Sequence, residues 1–489
     1  MRDDELRRIL TDANPWWRTA TSGDRTAWRA THRVLQGRGQ FDLGYRSQVL
    51  VDITAGPLTD ALVVLAGPRR VGKSVILMDS VDALCRRSDI DPRQIIHIPC
   101  DQLAARDLRR ALTLGRELTR SVDREQIQRR IWLFDEITQI TGWTATLKTA
   151  RDGTPFEGDT VVATGSRWVK GADAAANLFA GRAGLEDTRR LRHVAPMSFR
   201  DYLIASGRHL HLLEPVHPAH LQEPGVRRSL EAVAFDVDGY DVAWQEYLTC
   251  GGFPRAVAEQ VRDGQVSTAY LKDLQAWLLT DVDADAPPES ISRLLSELEQ
   301  RGSSPLNVTA AAETLGYPNR PTLDRRVDRL VATFAALRCP QRSDDGIIII
   351  GSRPKVYLAD PLLGWLPHLL RRGLPSPDMT RLTEMTVGVT LARVLDDLDE
   401  GRWLAGDTVG YARTDSGNEV DFCPVDAATP YGSERTVPIE SKWVDTGWRG
   451  EGRVIAGKYK AGVFATKSVL DMTGAVWAVP APLVCLLLR

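Results

Sequence analysis

The sequence predicts an α/β multidomain chain, and three observations carry that expectation. At 489 residues the chain exceeds what one hydrophobic core organises. Residues 61–76 run from an apolar strand through a glycine-bracketed loop into a helix. Two separate stretches, 60–200 and 346–489, each alternate strand and helix patterns.

Composition bounds the function classes. With 43% hydrophobic and 26% charged residues the chain reads as an ordinary globular protein. A net charge of −2 gives no global nucleic-acid signature, so any such binding must be a local patch. The six cysteines are scattered without a C-x-x-C pair, the pattern of reduced thiols in a cytoplasmic protein. The charged N-terminus has no apolar signal region, and no stretch is apolar and long enough to span a membrane. Only nine lysines stand beside 53 arginines, so a lysine in a motif position carries weight.

Residues 1–50 form an expected helical, Trp-rich segment, with Asn14-Pro15-Trp16-Trp17 as an aromatic turn and Trp28 as an anchor for the next domain. The expected domain at 51–204 begins with the strand Ala61–Ala66. Gly67-Pro68-Arg69-Arg70-Val71-Gly72-Lys73-Ser74 follows, in the spacing G-x-x-x-x-G-K-[ST] of a phosphate-binding loop. The glycines let successive backbone N–H groups face a phosphate, and the helix N-terminus adds partial positive charge. Lys73 is placed to reach the β- and γ-phosphates of a nucleoside triphosphate such as ATP, and Ser74 to bind Mg²⁺.

Strands are expected at 94–98, 131–136 and 160–166, with a helical stretch from 103 to 129 between the first two. Ile131-Trp-Leu-Phe-Asp135-Glu136 ends in two carboxylates. A strand intervening between the phosphate-loop strand and this acidic one marks the ATPase branch that carries a catalytic glutamate. Asp135 is then the magnesium-associated carboxylate and Glu136 the general base for the attacking water. Thr164 and Ser166 are either γ-phosphate sensors or plain turn residues. Arg182 is a candidate arginine finger, in cis or across a subunit contact.

Residues 205–288 read as a helical lid and 289–345 as a winged helix-turn-helix. Val308–Leu315 carries the i, i+3, i+4, i+7 apolar spacing, and a second helix follows from Pro321 to about Ala335. The exposed face of that helix offers Arg320, Thr322, Arg325, Arg326 and Arg329 for DNA. Asp324 and Asp328 share this surface, so a salt-bridged packing face is an equal alternative.

The last domain, 346–489, carries chemistry of its own. A helix over 380–398 holds Glu384, and 409–412 with 419–425 form an expected hairpin. Glu419 and Asp421 share one face of the second strand. Val437-Pro-Ile-Glu440-Ser-Lys442 follows. An Asp, a spacer and Glu-x-Lys on adjoining strands suit a metal-dependent phosphodiesterase. Asp421 and Glu440 would hold Mg²⁺ or Mn²⁺, Glu384 would complete the site, and Lys442 would position the nucleophilic water.

In this order the motifs resemble the bacterial and archaeal AAA-type ATPases with a C-terminal PD-(D/E)xK nuclease-like domain. The carriers are Gly67–Ser74, Leu133-Phe-Asp-Glu136, Thr164-Gly-Ser166, Gly181-Arg182, Pro196–Leu203, Gly251-Gly-Phe-Pro254, Lys355–Asp360, Glu419-Val-Asp421 and Ile439-Glu-Ser-Lys442. The resemblance implies a P-loop ATPase domain, a lid, a winged helix and a restriction-endonuclease-like α/β domain, and a phosphate-contacting role for Arg182. Arg167 and the Cys423-Pro424 pair depart from the family pattern. The functional expectation is an ATP-hydrolysing protein whose nucleotide state gates a DNA-associated nuclease, in defence against foreign DNA. Two rivals stand beside it: a nucleotide-dependent switch or scaffold whose nuclease fold binds only DNA or protein, and a signalling ATPase that binds no nucleic acid. A homo-oligomer is a further expectation.

Overall fold

Five apolar segments of the N-terminal half assemble into one parallel sheet. In chain order they are β1 (Leu62–Ala66), β2 (Ile95–Pro99), β3 (Ile131–Asp135), β4 (Thr160–Gly165) and β5 (Leu191–His193). The strand order is β2-β3-β4-β1-β5, and every pairing is parallel. β1 and β4 are buried along their whole length, as strands in a parallel sheet must be. The computed structural model describes all residues except 21–22, 56–60, 121–128, 154–155, 157, 169–190, 372, 415 and 489. Arg182 and Gly181 therefore lie outside the described residues, as does Asp415 of the expected hairpin turn.

The N-terminal segment serves this sheet. Leu6 and Leu10 of the helix Asp3–Ala13 enter the same apolar core as Leu108, Leu112, Trp132 and Phe134. Trp16 and Trp28 are buried and pack edge to face. β2 ends the sheet, and its outer edge needs partners. Asn14 supplies them: its Nδ2 donates to the His97 carbonyl at 2.8 Å and its Oδ1 accepts the His97 amide at 2.7 Å. Both Trp16 and Trp17 donate their indole N–H to the Ile95 carbonyl. The aromatic residues are anchors.

The chain divides into two units, Met1–Val194 and Ala195–Arg489. The second opens with helices at Phe199–Ala205, Pro224–Ala232, Val237–Cys250, Pro254–Asp263 and Thr268–Asp283. Three more follow, at Pro288–Arg301, Val308–Leu315 and Arg320–Ala332. An antiparallel ribbon then pairs β6 (Ala336–Cys339) with β7 (Lys355–Leu358). Beyond the helix Pro361–Leu370, the long helix Met379–Leu398 precedes a short hairpin of β8 (Ala412–Arg413) and β9 (Glu419–Val420). Next come a second hairpin, β10 (Asp426–Thr429) with β11 (Gly432–Arg435), and then β12 (Ile439–Ser441). β12 pairs in parallel with β13 (Gly462–Thr466) after the crossover helix Trp448–Tyr459, and β13 with β14 (Val476–Pro480). A single antiparallel bridge, Phe422 to Ile439, joins β9's continuation to β12.

The strand expected over 419–425 is thus much shorter. Pro424 has no amide to donate, so regular pairing stops and the chain turns before β10. All six cysteines are free and buried. No described helix is long and apolar enough to cross a membrane.

Candidate functional site

The strand order brings the first site together. β1 ends at Ala66, and the Gly67 amide donates to the Gly165 carbonyl on β4 at 3.1 Å. Gly67 is required by crowding, because a Cβ there would lie 2.0 Å from the Val194 carbonyl oxygen. Arg70 (φ 70°) and Gly72 (φ 94°) turn the loop through left-handed backbone, and the helix Lys73–Arg86 starts at once. Lys73 is 4% exposed. Its ammonium donates to the carbonyls of Gly67 and Pro68 at 2.8 and 2.7 Å and lies 3.7 Å from Glu136 Oε1. Burial pulls its pKa down, and the Glu136 and Asp135 charges oppose that pull. The half-buried Ser74 follows on the same first turn.

β3 delivers the carboxylates. Asp135 is its last residue, and Glu136 adopts left-handed backbone (φ 58°, ψ 40°), which turns its side chain out of the strand's alternation. Thr164 and Ser166, at the tip of adjacent β4, hold them. The Thr164 hydroxyl donates to Asp135 Oδ1 at 2.7 Å and accepts the Glu136 amide at 2.8 Å. The Ser166 hydroxyl donates to Glu136 Oε2 at 2.7 Å. Both residues are fully buried. A lysine, two carboxylates and two hydroxyls therefore converge at the C-terminal ends of β1, β3 and β4, where ligands bind in open parallel sheets. The hard oxygen donors of Ser74 and Asp135 fit Mg²⁺.

The second constellation forms around a residue that sequence reasoning did not assign to it. Glu384, Asp421 and Glu440 do come together: the Asp421 amide donates to Glu440 Oε2 at 3.2 Å, and Glu384 and Asp421 share one cation. That cation is Lys355, the first residue of β7 and 0% exposed. Its ammonium is 2.9 Å from Glu384 Oε1, 2.8 Å from Glu419 Oε1 and 2.7 Å from Asp421 Oδ1. Tyr357, two residues on and so on the same face, donates to Glu384 Oε1 at 2.8 Å. Gly388 permits this approach, since a Cβ there would lie 2.7 Å from the Phe422 ring and 3.0 Å from that of Tyr357. Burial first, then the Asp421 charge, push Glu384 up to about 7 and hold Glu440 well above the usual carboxylate range.

Lys442 stands at the edge of this cluster, where the Glu440 and Asp421 charges still act on it. It is 42% exposed and pairs with Glu451 of the following helix. The cue for Lys355 was a scarce lysine two residues before a tyrosine on a strand. A protein ammonium already fills the space among Glu384 Oε1, Glu419 Oε1 and Asp421 Oδ1, so as arranged these three oxygens do not fit a resident divalent ion.

Comparison with known proteins adds two matches. Residues 59–203 match the AAA domain family, and residues 242–373 match a domain of unknown function, DUF8612. No curated protein matches the chain. Among solved structures, a Walker-type ATPase of Pyrococcus abyssi aligns at 15% identity and a TM-score of 0.41, covering 67% of this chain and 99% of its own. The Thermotoga maritima RuvB Holliday junction branch migration motor aligns at 15% identity and 0.28, covering 59% and 85%. The Aeropyrum pernix ORC1 protein in complex with DNA aligns at 13% identity and 0.28, covering 76% and 95%. The chain carries an AAA-type P-loop ATPase domain, and the protein is an ATPase.

Proposed function

We propose that ATP hydrolysis in the N-terminal unit drives a switch whose output is a nuclease-like C-terminal unit working without a resident metal. The observation that carries the hydrolytic half is the pairing of Ser166 with Glu136 beside Lys73. Ser166 occupies Glu136 Oε2, which leaves Oε1 to accept a proton from the attacking water. Thr164 fixes the Asp135 carboxylate and the Glu136 backbone together, so neither carboxylate drifts. Lys73 neutralises charge building on the β- and γ-phosphates, and the loop amides from Arg69 to Ser74 cradle them. Ser74, and Asp135 through water, would hold Mg²⁺, which would supply further phosphate neutralisation. Arg182 is our candidate for the arginine reaching the γ-phosphate, in cis or from a neighbouring copy in a homo-oligomer. The six free thiols support a cytoplasmic setting.

For the C-terminal unit, the order helix 379–398, strands β8 to β12, helix 448–459 and β13 supports a restriction-endonuclease-like reading. Three helices followed by the β6–β7 ribbon support a winged helix. Four of that module's five proposed DNA-facing side chains are engaged elsewhere, Thr322 by donating to Asn319 Oδ1. Arg326 pairs with Asp283 and stacks on Tyr317, and Arg329 donates to the Val282 carbonyl. Arg320 is paired with Asp324, and Arg325 is exposed. This favours a switch or scaffold, with any DNA contact weak and salt-sensitive.

A metal-dependent nuclease is the second reading, favoured by the convergence of Glu384, Asp421 and Glu440. Plasmid and oligonucleotide cleavage with Mg²⁺ or Mn²⁺, with and without ATP, separates the two. Intact ATPase activity with no cleavage is expected. ATP-dependent cleavage lost in Asp421→Ala would replace the switch with a gated nuclease in defence against foreign DNA.

A further inference from the structure

The Lys355 ammonium lies 2.7 to 2.9 Å from carboxylate oxygens of Glu384, Glu419 and Asp421, and donates hydrogen bonds to Glu384 and Asp421. The Tyr411 ring closes one side, with its centroid 5.7 Å from the ammonium. Other protein donors hold the neighbouring oxygens. Tyr357 donates to the same Glu384 oxygen, and the Ser441 amide donates to Asp421 Oδ2 at 3.0 Å.

We propose that Lys355 is the resident cation of this acidic centre and takes the place of a divalent ion, so that metal and Lys355 exclude each other. This rests on the reading above that the nuclease-like unit runs without metal, and it names the residue responsible. A Mg²⁺ ion needs carboxylate oxygens at about 2.1 Å in octahedral array, and Mn²⁺ suits the same oxygen donors. Three oxygens that could provide this, on Glu384, Glu419 and Asp421, surround an ammonium that cannot leave without stranding buried carboxylates. Conversely, deleting the ammonium leaves several buried oxygens converging on one vacant point, which is the make-up of a divalent site.

The test is Mn²⁺ titration of the full chain without nucleotide, followed by calorimetry and by the Mn²⁺ paramagnetic signal, with Tm read in parallel. Wild type and Lys355→Arg are expected to bind no Mn²⁺ at this centre. Lys355→Met is expected to gain one Mn²⁺ per chain and a Mn²⁺-dependent rise in Tm, both lost when Asp421→Asn is added. Should Lys355→Met fail to fold, Lys355→Met with Glu419→Gln removes one stranded charge and carries the same titration. Wild-type binding of one Mn²⁺ that Asp421→Asn abolishes would overturn the proposal, as would a folded Lys355→Met that gains none. DNA cleavage is scored separately: Lys355 can fail as the resident cation while the protein still cuts nothing, and cleavage alone sinks the switch reading.

Discussion

Ser166 donates its hydroxyl to one carboxylate oxygen of Glu136 at 2.7 Å, from a strand that lies between the phosphate loop's strand and Glu136's own. The pairing leaves the other oxygen as the basic one, 3.7 Å from the Lys73 ammonium. Orientation of the proposed base is therefore built largely into the sheet order, with Lys73 at the head of the phosphate-loop helix facing the other oxygen.

Glu136→Gln keeps the shape of the side chain and removes its basicity. Turnover is expected to fall about 100- to 10,000-fold while ATP still binds. Phosphate release under saturating ATP, beside a nucleotide-retention assay, checks this. Unchanged turnover would remove Glu136 from the base role.

Thr164→Val removes one hydroxyl that serves both Asp135 and Glu136. A hydrogen bond to a charged group contributes about 1.5 to 3 kcal/mol, so kcat should drop roughly tenfold to a hundredfold. Nucleotide affinity should change little, because the hydroxyl is spent on the two carboxylate residues. Thr164→Ser should restore most of the rate. A loss confined to nucleotide affinity would make Thr164 a phosphate contact instead.

How much of this was legible follows from how far each feature reaches along the chain. Gly67 to Ser74 constrain one another over eight residues, and Asp135 with Glu136 end one strand, so local spacing reveals them. Thr164 and Ser166 stayed open between sensor and turn, because their partners lie across a strand pairing that spacing does not encode. Lys355 was quoted in a motif and left without a role. It acquires one only when residues 29 and 66 positions away fold onto it. Asp360 and Gly252 explain another motif pair structurally: the Gly252 amide donates to Asp360 Oδ2 at 2.8 Å, so both serve packing within the second unit.

Gly165→Ala tests the close approach at the tip of β4. The new Cβ would meet the Thr138 side chain at 2.2 Å, a distance real Cβ atoms do not tolerate. A cost of about 1 to 3 kcal/mol is expected in chemical denaturation, with a loss of ATPase rate as Thr164 and Ser166 shift. Adding Thr138→Ala removes the offending atoms and should recover most of both. Failure of that rescue would point to backbone strain instead of the clash.

Asn14→Ala would leave the buried His97 amide and carbonyl without their side-chain partners at the outer edge of β2. Each buried group left unsatisfied costs about 1 to 3 kcal/mol, so a Tm drop of several degrees is expected. Asn14→Asp, which sets a carboxylate oxygen against the Leu10 and His97 carbonyls in a fully buried position, should fall at least as far. Equal Tm values in all three chains would mean water satisfies that edge.

Two buried carboxyls set a pH dependence of stability. Burial pushes Asp360 and Asp396 up to about 6, although backbone amides of Gly252 and Leu362 hold the first and that of Trp403 the second. A carboxyl whose folded pKa is raised above its ordinary 3.8 binds its proton more tightly when folded. Its contribution is therefore full below that ordinary value and lost as pH rises through about 6. Each group accounts for a loss on the order of 2 to 3 kcal/mol across that window. Asp396→Asn keeps an acceptor for the Trp403 amide and cannot ionise. Urea unfolding measured from about pH 4 to 7 should show wild type losing stability relative to Asp396→Asn as pH rises. Parallel curves for the two chains would mean that Asp396 is ionised at no cost in the fold.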